Sequence, residues 1–249
     1  MEQLPPTIHE SWHSHIQPLF DDPKMVMIKN QVLPNCRFYP ERHLIFRVFE
    51  MPINEIKVVI LGQDVYPNGQ GVGLAFAVNM ASQPLPPSLR IIKNEVDINT
   101  ELRWFTKRGE DYSWRTLEHW KKQGVFLLNS ALTVEVQNAG SHLGIWQWFT
   151  REVVKVISIN QPCIWMLWGS KAKGFKDYID KNSIVPNIID AITLEKGVQE
   201  TFKGYNFVLS TDHPAAETYP DSKYKFTGCN HFNLSNEILK AKGLEQIKW

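Results

Sequence analysis

Four polar groups share one kind of position in this chain, each closing a short apolar run. Val58-Val59-Ile60-Leu61 leads into Gly62-Gln63-Asp64, and Val125-Phe126-Leu127-Leu128 into Asn129-Ser130. Ile164-Trp165-Met166-Leu167-Trp168 leads into Gly169-Ser170, and Phe207-Val208-Leu209 into Ser210-Thr211-Asp212-His213-Pro214. A carboxylate, a carboxamide, a hydroxyl and an imidazole are the groups that acid–base chemistry and ligand reading draw on. Singly, each has a structural explanation: Asp and Asn form turns and helix caps, and a lone His is more often structural. What favours function is that four such ends occur in one chain, with Pro214 stiffening the turn that would aim His213.

Elements must bring these groups together. Continuous apolar runs of this length suit strands buried on both faces, as in a parallel sheet covered by helices. Between them, Trp146, Phe149, Val153, Val156 and Ile157 fall near a 3.6-residue period with Arg151, Glu152 and Lys155 interposed, predicting a helix over 146–159. A second helix is expected over 88–102, with Ser88 as its N-cap after Pro84-Leu85-Pro86-Pro87. Strand and helix in alternation predict an α/β fold, a three-layer α/β/α sandwich with a central, mostly parallel four-stranded sheet. Ligands in such folds bind outside the carboxyl ends of the strands. That rule sets Asp64, Asn129, Ser170 and His213 along one edge, although most of the chain separates the first from the last.

Composition narrows the function classes. The 249 residues are 43% hydrophobic and 21% charged, enough for one sizeable core and too apolar for a disordered chain. With 27 basic against 26 acidic residues, the net charge of +1 does not announce a nucleic-acid binder, so any basic face must arise by local clustering. Cys36, Cys163 and Cys229 are odd in number and far apart; they exclude a disulfide framework and fit a reducing, cytoplasmic setting. No apolar run has membrane-spanning length and the N-terminus lacks secretory features. Residues 1–249 read as one domain without repeats or linkers, and nothing in them suggests more than a monomer. Most of the nine tryptophans are expected in the core. His13-Ser14-His15 lacks a third ligand at sensible spacing, Gly69-Gln70-Gly71-Val72-Gly73 lacks full dinucleotide spacing, and the cysteines lack paired spacing, so no metal or other cofactor is expected.

The same residues carry a resemblance. Gly62-Gln63-Asp64-Val65-Tyr66 with Gly73-Leu74-Ala75-Phe76-Ala77-Val78 is similar to the first signature of the family 1 uracil-DNA glycosylases. Pro86-Pro87-Ser88-Leu89 resembles their phosphate-gripping loop, and 123–129 with Leu132-Thr133-Val134 their uracil-reading strand. Leu167-Trp168-Gly169-Ser170, His213-Pro214 and Gly228-Cys229-Asn230-His231-Phe232 follow in the family's order. The resemblance implies hydrolysis of the N-glycosidic bond of a flipped-out deoxyuridine in DNA, releasing uracil and leaving an abasic site for base excision repair. It implies that Asp64 orients water and faces the cationic sugar, while His213 donates to uracil O2. Asn129 would read uracil N3–H and O4, with Phe76 stacking on the base, Tyr66 excluding the thymine methyl and backbone N–H groups around Gln63 assisting. Ser88, Ser170 and the loop of Pro214, Ala215 and Glu217 would contact DNA, rimmed by Lys171, Lys173, Lys223 and Lys225. Uracil-containing single- or double-stranded DNA is the implied partner, and inhibitor proteins that imitate DNA are a further one.

Departures from the family pattern are local. Val65 replaces a proline after the Asp that the resemblance makes catalytic, which should loosen that loop while Pro67 restores some stiffness, and Pro67-Asn68 stands where the family has a histidine, at the expense of one polar contact. Glu217 occupies the place of a leucine that wedges into the duplex; Tyr219 is expected to take over part of that role. The stretch between Gly169 and His213 is long, and 187–192 with 207–209 is expected to form an inserted hairpin near 187–209. The alternative reading is a glycosylase-derived protein kept for DNA or partner binding with weakened catalysis; joint presence of Asp64, Asn129 and His213 argues against it.

Overall fold

The computed structural model describes residues 3–81, 84–99, 113–179, 183–184, 204–218 and 225–249. Its strands are β1 (Phe38–Tyr39), β2 (Val58–Asp64), β3 (Val125–Ala131), β4 (Val134–Glu135), β5 (Ile164–Trp168), β6 (Ser183–Ile184) and β7 (Asn206–Thr211). The helices used below are α1 (His13–Phe20), α2 (Pro23–Met27), α3 (Pro87–Asn99), α4 (Ser113–Thr116), α5 (Glu118–Lys121), α6 (Leu143–Asn160), α7 (Gly169–Lys173) and α8 (His231–Ala241).

The four apolar runs form the centre of one parallel sheet in the order β3-β2-β5-β7, and two-residue β6 extends it to five strands at the β7 edge. Every residue of β3 and β5 is buried, as are Val58 to Gly62 of β2. Strands without a solvent face need a layer on each side, and the helices supply both layers of a three-layer α/β/α sandwich. Parallel pairing matters because it sends all carboxyl ends to one edge. The register sets Gly62 opposite Asn129, Asp64 opposite Ala131, and Trp168 opposite Thr211.

Helix α6 begins at Leu143 and ends at Asn160, a turn of chain beyond the expected start, because His142 and Gly140 accept its first backbone bonds. It buries Trp146, Phe149, Val153 and Ile157 of the predicted stripe, while Val156 is half-buried. Helix α3 starts at Pro87, which suits a first helical position whose N–H needs no partner. Ser88 is therefore inside the first turn rather than its cap, which frees its hydroxyl for a neighbour. Phe207–Leu209, expected in a hairpin, pairs in parallel with Ile164, Trp165 and Met166, and Phe207 also with Ile184. Its expected partner segment, 187–192, lies outside the described residues. A small antiparallel pair, β1 with β4, was not foreseen.

Aromatic side chains fill the sandwich in two groups. Trp12, Phe46, Phe49, Phe126, Trp146 and Phe149 interlock beside α1 and α6, mostly edge to face. Trp120, Trp168, Phe226, Phe232 and Trp249 do so around α8. Burying each contributes on the order of 2–3 kcal/mol before packing geometry is counted. The second group touches the strand-end edge through Trp168, so the core and the crevice share a wall.

Candidate active site

A crevice of about 220 Å³ opens at the carboxyl ends of β2 and β3, lined among others by Gln63, Asp64, Tyr66, Phe76, Asn129 and His213. Each side chain is held there by something nameable. Asn129 is 3% exposed and its carboxamide lies across the neighbouring strand at Gly62. A Cβ at Gly62 would stand 2.5 Å from Asn129 Oδ1, so glycine is required for that amide to lie flat against β2. Asn129 Oδ1 is buried without a hydrogen-bond partner. An orphaned buried acceptor costs roughly 1–3 kcal/mol, a cost that a ligand donor in the crevice would remove.

Phe76 has a left-handed backbone, φ 63°, unusual for an aromatic residue. Ala75 N–H donates to Leu127 O at 2.9 Å and Val78 N–H to Arg115 O at 2.7 Å, pinning the chain on both sides. The Phe76 ring then rests on Trp168, with centroids 5.6 Å apart, and beside His213 at 5.9 Å and 35°. Trp168 is fixed in turn, because its Nε1 donates to His231 Nδ1 at 3.1 Å.

Asp64 and His213 differ in their electrostatics. Burial pushes the Asp64 carboxyl above its ordinary range, while Gly140 N–H donating to Oδ2 and Gln63 Nε2 donating to Oδ1 pull it back down. Burial pushes His213 the other way, toward the neutral ring. Ala215 N–H donates to His213 Nδ1 at 3.1 Å, so the ring proton of neutral His213 sits on Nε2. His213 approaches β5 closely: a Cβ on Gly169, φ 87°, would fall 2.8 Å from the His213 Cβ. Tyr66 Oη lies 3.4 Å from Ser88 Oγ, and desolvation pushes the phenol up to about 12, so it stays neutral.

Among the described residues, the remaining expected ones do not line the crevice, and Pro214 is buried. Ser170 is exposed in α7, at the end of β5. Pro214, Ala215 and Glu217 share one 3-10 turn, Pro214–Thr218, and the Glu217 carboxylate accepts from Thr227 N–H. Lys173 Nζ donates to Asp212 at 3.0 Å, whereas Lys171 and Lys225 are exposed; Tyr219 and Lys223 lie outside the described residues. The loop that departs from the family is not loose. Gln137 N–H donates to Pro67 O and Asn79 N–H to Gln70 O, both at 2.8 Å, and buried Val65 packs over Gly71, where a Cβ would clash.

Four contributors escaped the sequence reading. Ala139 lines the crevice and Gly140 anchors Asp64, but their loop follows β4 with no motif to flag it. Glu95, fully buried in α3, accepts from Gly228 N–H at 2.7 Å and Asn230 N–H at 3.0 Å, and so fixes the turn that starts α8. His231, inside a recognised motif, supports Trp168.

The chain is similar over nearly its whole length to proteins of one kind. It is 34% identical over 251 residues to Uracil-DNA glycosylase 1 of Bacteroides fragilis, covering 97% of this chain and 98% of that protein. The chain belongs to the uracil-DNA glycosylase family. The uracil-DNA glycosylase of Epstein-Barr virus is 39% identical over 202 residues, 79% of this chain and 68% of that one. Among solved structures, a mimivirus UNG variant in complex with UGI has the same fold, with a TM-score of 0.77 at 23% identity over 98% of this chain and 89% of that one. No protein-family model matches the chain. No helix among the described residues is long and apolar enough to cross a membrane.

Proposed function

We propose that this crevice removes uracil from DNA by hydrolysing the N-glycosidic bond of a nucleotide swung out of its helix, or already single-stranded. The observation that carries the reading is that Asn129, whose Oδ1 is buried without a hydrogen-bond partner, lines the same crevice as Asp64 and His213. Uracil offers N3–H to that oxygen and O4 to the carboxamide N–H. Cytosine offers an acceptor and a donor at those positions, leaving buried groups unpaired on both sides, a mismatch that gives rejection of about 10⁴ or more. Tyr66, kept neutral and apolar toward the base, would crowd a methyl at C5, and Phe76 would lie against the ring.

Bond cleavage leaves the sugar oxocarbenium-like and the base an anion. His213 Nε2–H donates to O2 as that anion develops, a contribution of about 3–4 kcal/mol for a preorganised donor. Backbone N–H groups beside Gln63 assist. Asp64, held as a carboxylate by Gly140 and Gln63, faces the cationic carbon and orients the water that adds to it. The water oxygen becomes the new hydroxyl of the sugar, its proton passes to Asp64, and uracil leaves. Ser88, Ser170, Pro214 and Ala215 contact the strand, with Lys171 and Lys225 on the rim. Tyr219 shares the wedge role that Glu217 cannot fill; duplex and single-strand activities that are both unchanged in Tyr219→Ala would remove that assignment. An inhibitor protein shaped like DNA would cover the same rim. The separated cysteines support work in the reducing cytoplasm.

The test is release of free base from single-stranded and duplex oligonucleotides containing uracil, thymine or cytosine, with and without EDTA. Uracil-only, chelator-resistant release is expected, with intact abasic strands. Tight DNA binding without any release would overturn the reading in favour of a binding protein.

A further inference from the structure

The β1·β4 pair, silent in the sequence, brings Cys36 to two potential ligands, Glu135 and His142, about a hundred residues further along the chain. Its register sets Phe38 opposite Glu135, and Val136 N–H donates to Arg37 O at 3.0 Å. Cys36, one residue before that bond, thereby comes against the loop that runs from Glu135 to α6. A Cys36 sulfur, a Glu135 carboxylate oxygen and a His142 ring nitrogen all lie within 4.8 Å of one another. We propose that Cys36, Glu135 and His142 bind a zinc-type divalent cation, and that its occupancy staples β1 to the loop that carries Gly140.

The geometry fits such an ion. Zinc binds sulfur at about 2.3 Å and imidazole nitrogen at about 2.0 Å, and a tetrahedral angle then separates the two ligands by about 3.5 Å. Cys36 Sγ and His142 Nε2 stand 3.8 Å apart. Both other ligand groups are oriented from outside, as metal ligands usually are. His142 Nδ1 is bonded to Thr133 Oγ1 at 2.8 Å, and that hydroxyl accepts from Trp146 Nε1 at 2.7 Å, so the ring is fixed with Nε2 toward the sulfur. Asn138 Nδ2 donates to Glu135 Oε2 at 3.0 Å. Burial and the Glu135 charge both hold the Cys36 thiol protonated, and burial keeps His142 neutral. A cation reverses the first preference: on binding, the Sγ–H proton leaves to solvent and the thiolate bonds the metal. Cys36 and Val136 also line a surface depression of about 320 Å³, which gives the ion and a fourth, water ligand a way in.

Coupling to the crevice follows from chain proximity. His142 is two residues from Gly140, whose N–H holds Asp64. The site nevertheless stands apart from the reaction, which needs no ion, so its test is independent of glycosylase activity. The full chain, stripped with a chelator, is titrated with Co²⁺ and then Zn²⁺. A thiolate-to-cobalt charge-transfer band saturating at one ion per chain is expected, abolished by Zn²⁺, with slowed hydrogen exchange at the Gly140 amide. In Cys36→Ala the band should vanish. Glu135→Gln should keep the band with affinity weakened at least about tenfold, since losing a ligand's charge should cost no less than losing an outer partner. An unchanged melting temperature of both variants in EDTA shows that they fold. No band, or the same band in Cys36→Ala (which would put cobalt on Cys163 or Cys229), overturns the site; unchanged exchange at Gly140 overturns the staple.

Discussion

The two walls of the crevice are built differently. Asp64, Asn129 and Gly62 sit on β2 and β3, where the ladder register leaves each side chain a single place. His213 and Glu217 sit on a turn held by individual bonds: Ala215 N–H to His213 and Thr227 N–H to Glu217. Sheet register cannot slip by one residue without turning every side chain to the other face, so the strand wall tolerates little change. A turn stapled bond by bond can exchange a residue and keep its path. The departures from the family pattern follow this division. Val65 and Glu217 are in loops, while Asp64 and Asn129, proposed to face the sugar and the base, are on strands.

The largest expected effect is on the strand wall. Asp64→Asn keeps the shape and removes the charge that orients water and opposes the cationic sugar, so uracil release should fall by about 10³. Single-turnover rates on a uracil oligonucleotide check this, and a loss below tenfold would break the assignment. The pH profile sharpens it. Asp64 works as the carboxylate, and burial raises its pKa, so the rate should fall as pH is lowered, with a midpoint above the ordinary carboxylate value of about 3.9. His213 is shifted downward and already neutral, so the same limb should persist in His213→Gln on a lower plateau. A limb that disappears in that variant would assign the titration to the imidazole.

Gly62→Ala is the next largest, because it tests register rather than chemistry. The added Cβ stands 2.5 Å from Asn129 Oδ1 and 3.0 Å from the Ala75 Cβ, so the carboxamide must shift to make room. Displacing the amide by about 1 Å should cost about 10² in uracil release while leaving non-specific DNA binding intact. Equal activity would mean that the carboxamide is less constrained than the ladder implies.

Much of this was readable beforehand, and the reason is periodicity. Four apolar runs ending in polar groups define a parallel sheet and its active edge without any knowledge of contacts, and the strand wall follows from them. The loop wall was readable only as motif, since His213-Pro214 says that a turn exists but not that Ala215 N–H selects the ring tautomer. What stayed hidden depends on pairings between distant loops. Gly140 on Asp64, Glu95 on Gly228 and Asn230, and Cys36 beside His142 carry no local pattern, because β1 and β4 are two residues each. The placement of Ser88 failed for a similar reason: Pro87 can itself open a helix, so the cap expected after the prolines moved one turn position.

The smallest expected effect belongs to the loop wall. Glu217 has an observed and a proposed role: its carboxylate accepts from Thr227 N–H, and in the proposed reading its charge would oppose incoming phosphates. Glu217→Gln separates them, since the carboxamide oxygen can still accept while the charge is gone. A half-exposed charge near the surface is worth about 0.2–1 kcal/mol, so KM for duplex substrate should drop by about two- to fivefold at low salt. The gain should shrink as the salt approaches physiological strength, where screening acts over about 8 Å. Glu217→Ala loses the bond as well, and the Phe226–Gly228 turn it steadies should loosen, offsetting the gain. If Gln and Ala behave alike at every salt concentration, the staple is idle and the tolerance of this wall has another source; if Gln alone improves KM, then the turn holds its path by hydrogen bonds that are indifferent to charge.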